Sequence, residues 1–466
     1  MKRLIVFLGI FCNALIPIAS HSQVQLSDST ITLLKQGVEG FKNRYHSPSI
    51  VVAIVNDQNV IFSEALGYTD LEKKVPASLN SKYPILSISK IFTATMLMQL
   101  KQRGKINLHD DVIKYVPEFA NPKLPGKEAL TLFQLATHTS GLQRNSPADI
   151  GFTKQVDRWV LLGVSCESIE PPSKTQFLQS LKYITREYPD FQFTSYGDRR
   201  YSNLGYSLLG IAVERAAKIP YETFVKNELF KPIGMVNSGF DTEQPRSGNL
   251  AKGYWFADSS KQFIATPEFR SNSAVYAGGM YSTALDLAKF ISFQLTDSLE
   301  THSILSPSNK SMMQSFGIGW RQSFPFVVHE GAMLGYRSQI AFNPEQKVGW
   351  VILTNTTDFD FSRINEYISR LLSPYLNNNP VKDSSVYTGV YRLEGGYDSL
   401  RIILKDGKLY STYLDKELPP TPLVPSGNNK FKDPGKNNYN INYDFVANKK
   451  SEVVYLNMGQ LKWVKQ

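Results

Sequence analysis

Cysteine is nearly absent from this 466-residue chain: only Cys12 and Cys166 occur. Two thiols cannot build a disulfide framework, and they cannot supply a cysteine-based zinc site. Blocks of like charge are missing too, although 51 basic residues outnumber 41 acidic ones and the formal net charge is +10. A dispersed excess of this kind solvates a surface and leaves no nucleic-acid footprint. No apolar run reaches the roughly 20 residues that a membrane span requires. No G-x-S-x-G occurs, so an α/β-hydrolase reading loses its main support. What is present is a globular composition, 42% hydrophobic and 20% charged. At roughly 100–200 residues per domain, the length fits about two to four domains.

Residues 1–22 read as a secretory signal. Lys2 and Arg3 form the charged start, and Leu4 to Ile18 is an apolar run broken only by Gly9, Asn13 and Pro17. Ala19, Ser20 and Ser22 are the small residues that a signal peptidase needs. Phe11 is too bulky for the position before a lipidated cysteine, so Cys12 is not read as an anchor. The expectation is an exported bacterial protein, periplasmic or secreted, with no membrane anchor once the signal is removed. Its mature form would carry one thiol, no internal disulfide and a net charge of about +8.

A first helix is expected from Ser27 or Asp28 to about Arg44, where Ile31, Leu34, Val38, Phe41 and Tyr45 make one apolar stripe. Strands follow at Ile50–Val55 and Asn59–Phe62 around an Asn56-Asp57 turn. A strong helix spans about Ile88 to Arg103 and is closed by Gly104. Residues 143–196 are irregular apart from a helical stretch near Thr175–Glu187. A strand pair, Ser338–Phe342 and Gly349–Thr354, brackets Asn343-Pro344-Glu345, and a short helix, Ile364 to Leu372, comes next. Composition shifts at Asn377-Asn378-Asn379-Pro380. Beyond it, short strands such as Leu400–Leu404 and Leu409–Tyr413 flank the turn Asp406-Gly407. The division expected is a signal at 1–22, a main domain at 23–376, a linker at 377–385 and a small β-rich domain at 386–466.

Chemistry concentrates in three short elements. Ser87 and Lys90 form S-x-x-K, a spacing that occurs once in the chain. Residues three apart on a helix share a face, so the amine lies beside the hydroxyl. The serine also sits at a helix start, where free N–H groups favour developing negative charge. Together these suit an activated nucleophile. Tyr201-Ser202-Asn203 is the second element. Its Y-x-N spacing recurs at Tyr375–Asn377 and Tyr455–Asn457, but those two follow the third element and have no helix behind them. The third is His329-Glu330-Gly331, the only H-x-G in the chain.

Taken in order, these elements resemble the serine β-lactamase-like hydrolases. The likeness is to the branch holding class C β-lactamases, a D-alanyl-D-alanine carboxypeptidase, D-aminopeptidases and some esterases. Y-S-N stands where S-D-N occurs in related enzymes, and H-E-G where K-T-G occurs. Gly104–Asp111 with Val116-Pro117, Thr137–Leu142, and Gly278–Thr283 with Asp286-Leu287 add to the likeness, which covers roughly residues 28–375. It implies an α+β fold, an antiparallel sheet flanked by helices with a mostly helical subdomain. The small all-β domain behind it is similar to lipocalin-like appendages. The resemblance implies Ser87 as nucleophile and Lys90 and Tyr201 as the proton-transfer pair. A free tyrosine near 10 cannot be a base at neutral pH unless cations lower it; Lys90 is the obvious cation, and His329 a second. Asn203 would bind the substrate amide and hold Lys90. The backbone N–H groups of Ser87 and Ala332 would form the oxyanion hole, with His329 and Gly331 lining the substrate site.

Other residues are read more plainly. His138 is taken as a hydrogen-bonded loop histidine. His46, His109 and His302 are isolated, and no metal or cofactor is expected. Cys166 reads as a buried filler. Glu330 replaces the threonine that contacts a substrate carboxylate in penicillin-recognising relatives. Pointing inward, it would repel carboxylates and make the protein a poor β-lactamase, favouring a neutral ester or an amine- or amide-ended peptide. Pointing outward, it would bind nothing. Trp159, Phe152 and Pro171-Pro172 either wall a cleft or pack the long insert on its own scaffold. The reading is a serine hydrolase acting on a small-molecule or peptide amide or ester. Its alternatives are an acylated sensor without turnover and a binding module centred on the C-terminal domain.

Overall fold

The computed structural model describes residues 24–119, 129–149, 152, 154–156, 171–184, 201–242, 249–268, 270–323, 326–372, 374–375, 384–394, 399–414, 420–427, 429–432, 442–448, 452–458 and 461–466. The expected signal, Cys12, Trp159, Cys166 and residues 377–383 of the expected linker lie outside the described residues.

Helix α1 (Asp28–Arg44) starts at Ser27, whose hydroxyl accepts the Thr30 amide as an N-cap. Strands β1 (Ser49–Asn56), β2 (Asn59–Asp70) and β3 (Val75–Pro76) follow. β2 continues beyond Phe62 because its pairing with β1 runs on to Ser49↔Gly67. Helix α2 (Ser89–Gln102) is buried from Ser89 to Leu100, as an apolar sequence without a wet face requires. After it come α3 (Asn203–Ala217), α4 (Ala284–Leu295) and α5 (Pro307–Phe316). Strands β4 (Arg321–Ser323), β5 (Phe326–Met333), β6 (Tyr336–Asn343) and β7 (Val348–Thr354) precede helix α6 (Phe361–Leu372).

The seven strands form one antiparallel sheet in the order β3-β2-β1-β7-β6-β5-β4. β7 is buried throughout, and β1 in all but its last residue, which explains their continuous apolar sequences. Alternation sorts the sheet residues. Val52, Trp350 and Ile352 face α1 and α6 in one core, while Val51, Ala53, Val351 and Leu353 join the larger core around α2, α3 and α4.

The C-terminal segment closes on itself as an eight-stranded antiparallel barrel running from Gly389–Leu393 to Leu461–Lys465. The last strand pairs back onto the first at Tyr391↔Lys465. Closure removes the exposed edges that a small sheet would otherwise present. Asp406 and Gly407 take positive φ values of 49° and 71°, the two left-handed residues of a tight hairpin turn. Tyr391, Ile402, Phe431, Phe445 and Trp463 pack in the barrel's apolar core. The expected architecture, helices on an antiparallel sheet plus a small all-β unit, is the one observed.

Candidate active site

Ser87 lies in a 3₁₀ turn, Leu86–Ile88, that leads into α2. Leu86 has φ 53°, a left-handed conformation that costs an L-residue roughly 1–2 kcal/mol. Clamps on both sides hold it there. The Ile85 amide donates to the Met280 carbonyl at 2.9 Å, and the Ser338 hydroxyl donates to the Ile85 carbonyl at 2.9 Å. The Met280 amide donates to Ser89 Oγ at 3.1 Å, so the Gly278–Thr283 motif docks on the Ser87 turn. β5 approaches from the other side. A Cβ on Gly331 would stand 2.3 Å from the Ile85 carbonyl oxygen, which explains the glycine of the third element.

Lys90 is fully buried, and its Nζ stands 3.1 Å from Ser87 Oγ and 2.8 Å from the Ala277 carbonyl oxygen. Burial first, and then the Arg144 cation, hold its pKa well below 10.5. Tyr201 hydrogen-bonds Ser87, and its ring centroid is 4.8 Å from Lys90 Nζ. Burial pushes the Tyr201 phenol up to about 12, against the smaller lowering effects of Ser87 and Arg144. The expected charges are therefore corrected. Lys90 is not among the groups that lower the tyrosine; Ser87 and Arg144 are, and burial outweighs both.

The second element enters at the start of α3. Ser202 caps the helix by accepting the Gly205 amide at 2.9 Å, and its own amide donates to His138 Nδ1 at 3.1 Å. The His138 ring also packs at a tilt against Tyr201 with centroids 4.5 Å apart, so the loop histidine is hydrogen-bonded as expected and supports the tyrosine. Asn203 does not hold Lys90; that bond goes to Ala277. The Asn203 side chain donates to Asn145 Oδ1 at 2.8 Å, and its amide donates to the Arg144 carbonyl at 2.7 Å.

The third element differs more from expectation. His329 is buried, and its Nδ1 lies 2.9 Å from the Glu330 carbonyl oxygen, an acceptor only, so this nitrogen carries the proton. Burial and the Lys90 amine lower His329 to about 3, so it is neutral and adds no cation. Glu330 projects to the opposite face. It pairs across with Gln339, which pairs with Ile352 of the α1–α6 core, whereas His329 pairs with Ile340 of the larger core. Its carboxylate takes Arg321 at 2.7 Å and Gln339 at 3.2 Å. It points outward but is not idle, and the ground for expecting poor β-lactam activity is removed.

Ser87, Asn203 and Ala332 line one cavity of about 310 Å³, together with Arg144, Asn145, Phe152 and Pro171. Phe152 and Pro171 thus wall a cleft, as one reading of the insert held. Among the described residues no cluster of three or more His, Cys, Asp or Glu could hold a metal.

The model of one family, described as Beta-lactamase, matches residues 32–373. This chain belongs to the beta-lactamase family. Protein flp of Staphylococcus aureus (strain MRSA252) is 28% identical over 368 residues, which are 77% of this chain and 68% of that protein. The octameric penicillin-binding protein homologue from Pyrococcus abyssi superposes with a TM-score of 0.62 at 22% identity, over 93% of this chain and all of that one. FmtA from Staphylococcus aureus gives 0.59 at 20%, over 75% of this chain and 91% of that one. At those identities the two structures show a shared fold. Members of the family are in general serine hydrolases. Two residues beside the beta-lactamase-type elements were not read from the sequence. Ala277 contributes only a backbone oxygen, which any residue type supplies. Arg144 closely follows the Thr137–Leu142 motif, and that adjacency was the one available signal.

Proposed function

We propose that this chain is an exported serine hydrolase that cleaves an amide or ester through an acyl-enzyme on Ser87. One observation carries the reading: the Ser87 hydroxyl sits between the buried Lys90 amine at 3.1 Å, whose pKa burial holds well below 10.5, and the Tyr201 phenol, at the edge of a cavity. The Lys90 lone pair takes the Ser87 proton as Oγ bonds the substrate carbonyl carbon. The oxyanion is met by the Ser87 and Ala332 amides. As the bond to the leaving group breaks, the proton passes through the Tyr201 phenol to the departing nitrogen or oxygen. Water then attacks the acyl carbon, gives its proton to the same pair, and the proton returns to Ser87 as the ester bond breaks. Export is supported by the charged, apolar and small-residue order of positions 1–22.

The test is a panel of nitrocefin, 4-nitrophenyl esters and D-amino-acid amides on wild type and Ser87→Ala, read with intact-mass spectrometry. Turnover in wild type alone, with an acyl adduct on Ser87, is the expected outcome. Equal behaviour of the two proteins on every substrate would overturn the reading. A persistent adduct without turnover would make the chain a sensor.

A further inference from the structure

Five charged side chains line the cavity: Arg144, Asp149, Asp241, Glu268 and Arg270. Four are engaged. Asp149 accepts the Ser146 amide and hydroxyl at 2.8 Å each. Asp241 accepts the Ser271 amide at 2.9 Å and its hydroxyl at 2.6 Å. Glu268 and Arg270 each have a neighbour that engages them. Arg144 differs. Its guanidinium carbon stands 5.1 Å from the centroid of the Tyr201 ring, and among the described residues it makes no ion pair and donates no side-chain hydrogen bond.

This guanidinium is not on a free loop. The Arg144 carbonyl accepts the Asn203 amide at 2.7 Å and the Leu204 amide at 3.2 Å. On one side the Gln143 carbonyl accepts the Ser202 hydroxyl at 2.7 Å, and on the other Asn145 Oδ1 accepts the Asn203 side chain at 2.8 Å. Three consecutive residues are thus tied to the start of α3, the segment that carries Tyr201. The fork is held beside the nucleophile with its five donors available, and such a fork matches a carboxylate or phosphate bidentately. It also stands close enough to Lys90 to disfavour a charge there. The third element brings no competing charge, since Glu330 is on the other face and His329 is neutral.

We propose that Arg144 determines specificity at this site, and that the favoured substrates are esters or amides carrying a carboxylate or phosphate-type anion within reach of its guanidinium. The reaction part rests on the hydrolase reading above; the binding part does not. Selectivity then comes from the loop before the second element rather than from His329-Glu330-Gly331.

The experiment uses the full chain and aryl esters whose acyl tails end in methyl, carboxylate or phosphonate. Dissociation constants are measured calorimetrically on Ser87→Ala, and KM on the protein with Ser87 intact. The two anionic tails are expected to bind about 10- to 100-fold more tightly than the methyl tail, the range for a charge-assisted contact. The tighter of the two names the anion class. Arg144→Gln, alone and in Ser87→Ala, is expected to bring the anion-to-methyl ratio close to one, and Arg144→Lys to restore part of it. Equal affinity for all three tails, or an anion preference that survives Arg144→Gln, would overturn the proposal. If Ser87→Ala discriminates the tails but the intact protein turns over none, the binding inference stands and the hydrolase reading fails.

Discussion

Lys90 and Lys310 are both buried, at 0% and 2% exposure, and burial lowers both amines, yet their surroundings separate them. Lys310 donates to the Phe293 and Thr296 carbonyls and to Thr301 Oγ1, with Asp297 nearby as a favourable charge. Those carbonyls belong to the C-terminal turn of α4, where helices leave acceptors unused and favour a cation. Its pKa is held at about 8, so it still carries its proton at neutral pH. Lys90 has one carbonyl, one hydroxyl and a like charge, Arg144. Burial is the main depressant at both sites, and the nearest charge, Asp297 in one case and Arg144 in the other, then acts on the two amines in opposite directions.

The largest effect is expected at Lys90. Lys90→Met should lower ester turnover by about 10²–10⁴-fold, the usual range for a positioned proton-transfer group, while Lys310→Met should leave kcat within about twofold of wild type. Steady-state assays on both variants decide this, and equal losses would collapse the distinction. Gly331→Ala comes next. Its Cβ, 2.3 Å from the Ile85 oxygen, must push β5 from the Ser87 turn. Thermal unfolding should show a loss of about 1–3 kcal/mol, accompanied by a fall in kcat.

Lys310→Met is expected to cost about 1–3 kcal/mol, because two carbonyls lose their donor. Its pH signature separates it from Lys90. Between about 8 and the ordinary 10.5, the unfolded chain binds a proton that native Lys310 does not. Stability of wild type relative to Lys310→Met should therefore rise with pH through that window and be lower on its acid side. Denaturant melts from pH 7 to 11 measure this. In activity, the acid limb of wild type should lie well below 10.5 and stay in place in Lys310→Met. The smallest effect belongs to Glu330→Gln. Its pair with Arg321 is exposed and worth about 0–1 kcal/mol, and its face of the sheet is not the cavity's. The ratio of kcat/KM for carboxylate-ended against neutral esters should stay within about twofold.

What the sequence made legible followed from local spacing. Ser87 and Lys90 meet because residues three apart share one face of a helical turn, and the Asp406-Gly407 hairpin follows from its turn chemistry. Helix limits at Asp28 and Arg44 were visible in a single apolar stripe with a serine cap. The protonation states were not legible. They depend on how deeply Lys90, Tyr201 and His329 are buried, and on the Ala277 oxygen 187 positions away. The outward turn of Glu330 was equally hidden. It is set by the register of β5 against β6, and a shift of one residue would have reversed it. The motifs placed a lysine and a histidine in one charged cleft and, on one of two readings, a glutamate with them. Pairing and alternation instead put the glutamate on the other face, and burial leaves the histidine neutral.

The strand order has a temporal consequence. β1, near the beginning of the chain, finds its partner in β7, some 300 positions later, at Ile50↔Thr354. Ser87 can emerge early during synthesis, but the strand that abuts its turn comes much later, and the Ser338 hydroxyl that holds Ile85 is 253 positions beyond Ile85. Such distant closures are slow and come late in folding. A chain still being made would therefore carry Ser87 as an ordinary serine, harmless to its surroundings. Reactivity would switch on only when the last strands of the sheet slot into place.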